Sequence, residues 1–253
     1  MKSPSPVNLR PVLWMLAAAL AVAAPAFLAG CEPKAVPPAE TPAEKAPAET
    51  PAEKPAETPA AAMDADGWES LFDGKTLGHW KSTEFGGEGK VHVKDGQIIL
   101  EMANADLTGI TWAGKPEDLP KIDYEISLEA MRVEGFDFFC GLTFPYKDSH
   151  ASLICGGWGG GLVGISSFND MDASQNETSS YYQFENGKWY KILLQVREKT
   201  IKAWVDGKQV VDAEVRDRKV GVRIEVDASR PLGIATWHTK GALRNLRIRR
   251  LLD

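Results

Sequence analysis

Glu125 and Glu129 stand on the same face of KIDYEISLEAMRV (121–133), and paired carboxylates are the groups that hydrolyse glycosides. At ~3.3 Å per residue of strand their Cα atoms lie roughly 13 Å apart. A retaining pair needs about 5–5.5 Å and an inverting pair about 6.5–9.5 Å, so the two do not form a pair alone. One of them needs a partner on a neighbouring strand, and Asp137 is the nearest candidate. If that face is the concave one, Glu129 is the acid or base; otherwise it is a solvated outer face. Two imidazoles come next: His238, beside Trp237 near a late turn, and His150 in the turn Asp148-Ser149-His150. Neither stands in a Ser-His-Asp context, and no Gly-x-Ser-x-Gly elbow is present.

The loop NDMDASQNE (169–177) concentrates oxygen ligands. Asp170, Asp172, Ser174 and Asn176 alternate much as in a calcium loop, without its central glycine and distal glutamate. Asp170 and Asp172 are therefore candidates for a divalent, calcium-like cation, against a solvated loop; no cofactor is required. Trp112 and Trp158 are candidates for stacking on a sugar face, against the commoner use of tryptophan in a core.

LICGGWGGGLVGI (153–165) contains Gly159, Gly161 and Gly164 in G-x-G-x-x-G spacing. A dinucleotide site needs a helix after these glycines and an acidic residue beyond the next strand. Here the glycines run into the polar ISSFNDMDASQNETSS, and no β-α alternation follows, so a nucleotide is excluded. Read as a strand, Gly157, Gly159 and Gly161 share one bare face, which invites either a sugar ring or a bulky side chain packed from elsewhere. The balance favours intramolecular packing, and the stretch marks where a groove should be sought.

These residues need a scaffold, and the scaffold is β. Tyr124, Ile126, Leu128 and Ala130 alternate with Asp123, Glu125, Ser127 and Glu129. Asp95-Gly96 and Asp206-Gly207 are tight hairpin turns between apolar runs. Two more strands surround Thr239–Gly241. The pattern predicts an all-β, antiparallel two-sheet jelly-roll sandwich over residues 64–253. Cys140 and Cys155 flank the turn formers of PYKDSH and face each other across a hairpin centred near Lys147–Asp148. Free buried thiols are the favoured state there, with a disulfide as the alternative.

The preceding residues have other tasks. Lys2 and Arg10, the apolar run Val12–Leu28 and the ending Leu28-Ala29-Gly30-Cys31 predict a lipoprotein signal peptide at 1–30 with acylation of Cys31. Two or more acyl chains would hold the protein stably to a bilayer. Glu32, in place of a retention aspartate, points to the outer membrane of a bacterial envelope. Residues 31–63 repeat PAET and PAEK, hold eight of the chain's sixteen prolines, and read as a disordered tether. At ~3.1 Å per residue the tether reaches up to roughly 100 Å. Residues 1–30 carry two bases and no acids, so the rest of the chain has a formal charge of −8 against −6 for the whole. Such a chain has no electrostatic attraction to nucleic acid, and a neutral carbohydrate ligand fits better.

Three stretches together resemble the 3-keto-disaccharide hydrolase family of concanavalin-like jelly rolls: GWESLFDGKTLGHW (67–80), ENGKWYKILLQVREKTIKAWVDGKQV (185–210) and GIATWHTKGALRNLRIRRL (233–251). The resemblance implies a carbohydrate-active domain that cleaves 3-keto glycosides by hydrolysis or elimination. His238, Arg244 and Asn245 stand in places that match the family's closing motif, and the resemblance implies a site role for His238, whose imidazole would take a proton from a sugar carbon next to a ketone. The middle departs from the family pattern: GFDFFCGLTFP (135–145) and ASLICGGWGGG (151–161) stand where groove-lining polar residues are expected. A non-catalytic glycan- or protein-binding module on a stalk is the alternative function. On either reading Trp158, Gly159, Trp112 and Arg244 are the candidate ligand contacts, and Glu129, His238 and Asp137 the candidate catalytic groups.

Overall fold

The computed structural model describes residues 63–252; the expected signal peptide, Cys31 and the tether up to residue 62 lie outside the described residues. Alternation becomes strand almost everywhere. The first strands are β1 (Glu69–Ser70), β2 (Trp80–Ser82), β3 (Val91–Lys94), β4 (Gln97–Leu100) and β5 (Leu107–Trp112). The long β6 (Tyr124–Gly135) is followed by β7 (Cys140–Tyr146), β8 (Ser149–Gly156), β9 (Leu162–Ser166) and β10 (Ser180–Tyr181). Then come β11 (Trp189–Val196), β12 (Thr200–Val205), β13 (Lys208–Glu214), β14 (Gly233–Trp237) and β15 (Thr239–Arg250).

They form two antiparallel sheets. One has eight strands in the order β13-β12-β11-β6-β15-β4-β3, with β1 added against β15; the other has seven, β10-β9-β8-β7-β14-β5-β2. The all-β sandwich expected from the alternation is the observed fold. The inner face of β6 presents Tyr124, Ile126, Leu128 and Ala130, all buried, to one continuous core. Leu142, Phe144, Leu153 and Ile165 meet them from the seven-stranded sheet. Both Asp-Gly turns close hairpins, β3–β4 and β12–β13, with Asp95 and Asp206 at φ 51° and 48°. Among the described residues no helix is long and apolar enough to cross a membrane.

Three expectations need correction or refinement. The glycine stretch is not a continuous strand: Gly156, Trp158, Gly159 and Gly160 take φ of 83°, 48°, 88° and 106° and turn the chain tightly between β8 and β9. Left-handed backbone is cheap only for glycine, which is why so many cluster there. The bare backbone of Gly161 is covered from inside the molecule by the Tyr181 ring, so packing claims that position. Trp112 is core: it is buried, edge-on to Trp80 at 5.6 Å and tilted on His79 at 5.1 Å, and offers no face to a ligand. The outward face of β6 is not simply solvated either, since Glu125 is 4% exposed and held by Arg249 and Gln195. Cys140 and Cys155 do pair in register, as free buried thiols.

The outer face of the seven-stranded sheet carries small residues. Pairing places Gly109, Gly141, Thr143, Ser152, Gly164 and Ala235 on it. Two covering segments, 167–179 and 215–232, lie against this face. An added Cβ on Gly164 would stand 3.1 Å from the Ala173 Cβ, so glycine lets the first segment sit directly on the sheet. The segments are joined by Ser167 donating to the Gly221 carbonyl at 2.8 Å, and by Asn169 donating to that of Lys219 at 2.8 Å. A second, smaller apolar cluster forms beneath them, with Phe138, Ile154, Ala173, Val226 and Ala235.

Candidate functional site

The chain crosses from one sheet to the other at two neighbouring corners. Residues 136–139 link β6 to β7, and His238 links β14 to β15 with φ 42°. Thr239 ties the corners together, its Oγ1 donating to the Asp137 carbonyl at 3.2 Å while it accepts from the Asp137 amide at 3.3 Å. Beside them lies the glycine turn. A cavity of about 280 Å3 opens here over the outer face of the seven-stranded sheet. Phe138, Ile154, Val226, Trp158 and Trp237 give it apolar walls, and Asp137, Ser166, Arg223 and Glu225 supply the polar groups.

Trp158 stands out because it is 46% exposed and in a left-handed conformation that costs a non-glycine residue about 1–2 kcal/mol. The turn is held from below. Arg132, 5% exposed, donates to the carbonyls of Asp137 (3.3 Å), Gly160 (3.2 Å) and Phe184 (3.0 Å), and to Oδ1 of Asn186 (2.6 Å). Desolvation pulls its guanidinium below the usual value. From above, the Asp137 carboxylate accepts from the amides of Phe138 (2.7 Å) and Gly159 (3.3 Å). Asp137, Trp158 and Gly159 are therefore parts of one unit.

The opposite wall is ionic. Arg223 donates from Nε and Nη2 to the two carboxylate oxygens of Glu225, and from Nη1 to Asp172 Oδ2 at 2.9 Å. Hydrogen bonds from Arg223 hold the Glu225 carboxyl below its ordinary range. These contacts join the two covering segments at the cavity.

The other candidates lie elsewhere. His238 does not line the cavity; it stands next to Trp237 at the corner, and its Nε2 is 3.1 Å from Asp106 Oδ1. Glu129 and Arg244 sit on the outer face of the eight-stranded sheet, on the far side of the sandwich from the cavity. Arg244 donates to Glu129 Oε2 from Nε (2.9 Å) and Nη2 (2.7 Å), Asn245 donates to Oε1 (2.8 Å), and Arg244 stacks 4.1 Å above the Trp189 ring. Desolvation pushes the Glu129 carboxyl up, but Arg244 and Asn245 carry it below its usual value. A cleft of about 380 Å3 on this face has Glu129, Asn245, Lys191 and Trp68 in its lining. Thus the pairing of Glu129 with Asp137 is not formed, because the two face opposite sides.

The oxygen-rich loop also has internal uses. Asp170 pairs with Lys219 at 2.7 Å, and Asp172 binds Arg223 and the amide and hydroxyl of Ser174. Asn176 donates to the carbonyls of Ile165, Met171 and Asp172. Among the described residues no group of three or more His, Cys, Asp or Glu is placed to hold a metal ion. His150 is half-buried, and burial lowers its pKa. Sequence reasoning missed Arg132, Arg223, Glu225 and Ser166, whose roles depend on which loops cover the sheet.

None of the curated proteins matches this chain. Among solved structures, a protein from Parabacteroides distasonis, described provisionally as a glycosyl hydrolase, is 14% identical with TM-score 0.46, covering 75% of this chain and 95% of its own. A carbohydrate-binding module from Bacillus subtilis is 14% identical with TM-score 0.45, covering 68% and 95%. Domain 4 of an extracellular arabinanase from Geobacillus stearothermophilus, solved with arabinotriose, is 14% identical with TM-score 0.47, covering 73% and 91%. A family model matches residues 67–249, nearly the whole sandwich, and the chain accordingly belongs to the 3-keto-alpha-glucoside-1,2-lyase-like domain family, a carbohydrate-related group of jelly rolls.

Proposed function

We propose that the domain binds a saccharide in the cavity beside Trp158 and cleaves a 3-keto glycoside there by elimination, with Asp137 as the base. One observation carries this reading: an exposed tryptophan and the Asp137 carboxylate line the same cavity. The flat indole suits the C–H face of a sugar ring, and acceptor-only carboxylates suit its hydroxyls. A ketone at C3 acidifies the proton at C2. Asp137 takes that proton, its electron pair forms the C1–C2 double bond, and the C1–O bond breaks. The departing oxygen keeps that bond pair and gains a proton from water.

The test incubates the purified protein with 3-ketosucrose and sucrose and follows the conjugated enone in the ultraviolet. Asp137→Asn keeps an acceptor for the Phe138 amide and should abolish enone formation while leaving binding. An Asp137→Asn enzyme as fast as the wild type removes Asp137 from the mechanism. Binding without turnover is the second reading, favoured by the prior commitments of the carboxylates: Asp137 to two amides and Glu225 to Arg223. Saccharide binding with no enone from any 3-keto glycoside would decide for it.

The sequence before residue 63 supports envelope attachment through acylated Cys31, probed by fatty-acid labelling of the wild type and Cys31→Ser. Equal labelling of both would refute the anchor.

A further inference from the structure

Hydroxyl groups on the outer face of the seven-stranded sheet are otherwise spoken for. Thr143 and Ser152 share a hydrogen bond of 2.8 Å, and Thr83 and Thr111 share one of 2.6 Å. Ser166 lies directly opposite Ser152 in the β8–β9 register, is 1% exposed, and its Oγ has no partner. It also lines the cavity. Ser229 is the other buried unpartnered hydroxyl among the described residues, but it lies within the second covering segment, packed against Gly233, and does not line the cavity.

A buried hydroxyl without a partner costs free energy that folding alone does not return. Ser166 stands in the lining of the cavity with its Oγ covered, so a ligand that displaces the side chains over it can supply the missing partner. The neighbouring groups sharpen the chemistry. Asp137 and Glu225 only accept hydrogen bonds when ionised, and the Arg223 donors are directed at Glu225 and Asp172. A sugar carbonyl needs a donor, and Ser166 brings one from the sheet itself.

We propose that Ser166 is a ligand-binding residue whose hydroxyl donates to an oxygen of the sugar seated beside Trp158, a carbonyl oxygen where the sugar is oxidised. The proposal rests on the saccharide reading of the cavity.

The experiment titrates the full protein with 3-ketosucrose and with sucrose, following the fluorescence of its tryptophans. Ser166→Ala, Ser166→Cys and Ser229→Ala are compared with wild type, and the melting temperature of each is recorded. Losing one hydrogen bond to the ligand should raise Kd about tenfold. Ser166→Ala should melt at or above the wild-type temperature, because an unpartnered hydroxyl is removed. Ser229→Ala should bind as wild type does. Ser166→Cys, nearly isosteric and a poor donor, should weaken binding similarly and serves if the alanine variant does not fold. Wild-type affinity in both Ser166 variants overturns the proposal and leaves the saccharide reading standing. Equal weakening in Ser229→Ala also overturns it, since the effect is then indirect. A wild type that binds neither sugar overturns both.

Discussion

Replacing Arg132 with alanine should loosen the turn that carries Trp158 and cost a large part of the domain's stability. The guanidinium makes four hydrogen bonds from an almost fully buried position, two of them short, at 2.6 and 3.0 Å, and two long, at 3.3 and 3.2 Å. It also lies 5.7 Å over the Phe139 ring. Bonds to a charged group contribute about 1.5–3 kcal/mol each, but water reaches exposed Asn186 and part of the loss is shared. The expected cost is therefore about 3–5 kcal/mol, in the range for breaking a buried charged network. With a urea slope near 2.5 kcal/mol per molar, the unfolding midpoint falls by about 1.5 M. Arg132→Lys keeps the charge but cannot span carbonyls on both sides, so it should recover only part of the loss. Iodide quenching of Trp158 should rise in both variants before unfolding begins. A loss under about 1 kcal/mol in Arg132→Ala, with unchanged quenching, would refute the idea that this residue holds the turn.

Glu129→Gln should leave saccharide binding and enone formation intact, since Glu129 faces away from the cavity; loss of turnover with an intact fold would overturn that assignment. It should cost about 0.5–1 kcal/mol at pH 7, as expected for a partly exposed pair. The folded carboxyl is depressed, so its stabilisation is present above the unfolded pKa of about 4.3 and disappears as pH falls through the lower folded value. Wild type and variant should thus converge in acid, and a gap that widens toward low pH would contradict the sign. For the thiols, the hydrogen bond with Cys140 and then burial push Cys155 well up. Cys140 and Cys155 should resist a thiol reagent at pH 8 until the protein unfolds, and rapid labelling of the native state would show that the core opens there.

The scaffold was readable because a half-buried strand writes its two faces into the sequence with period two. The segment from Tyr124 to Ala130 and the Asp95-Gly96 and Asp206-Gly207 turns are such cases, and the Cys140–Cys155 register followed from one turn. The site was legible only in part. Trp158 was visible as a ring set between glycines and Asp137 as a possible partner for a β6 carboxylate, but Trp112 and Trp158 look alike until burial distinguishes them. Alternation says that Glu125 and Glu129 share a face, not whether that face carries the cavity, which opens on the other sheet. Asp170 and Asp172 have ligand spacing, yet their partners Lys219 and Arg223 come from a segment about fifty residues later, which local spacing does not encode.

The described chain begins on the side of the sandwich away from the cavity. Met63 bridges to Glu69, and the Trp68 ring lies 4.7 Å from the Arg247 guanidinium and 4.6 Å from that of Arg249, on the outer face of the eight-stranded sheet. A support joined directly at Met63 would therefore hold the domain by its back. Immobilised in this way, the protein offers its cavity to polymers too large to diffuse around it, and a tag placed there need not be cleaved before binding is measured.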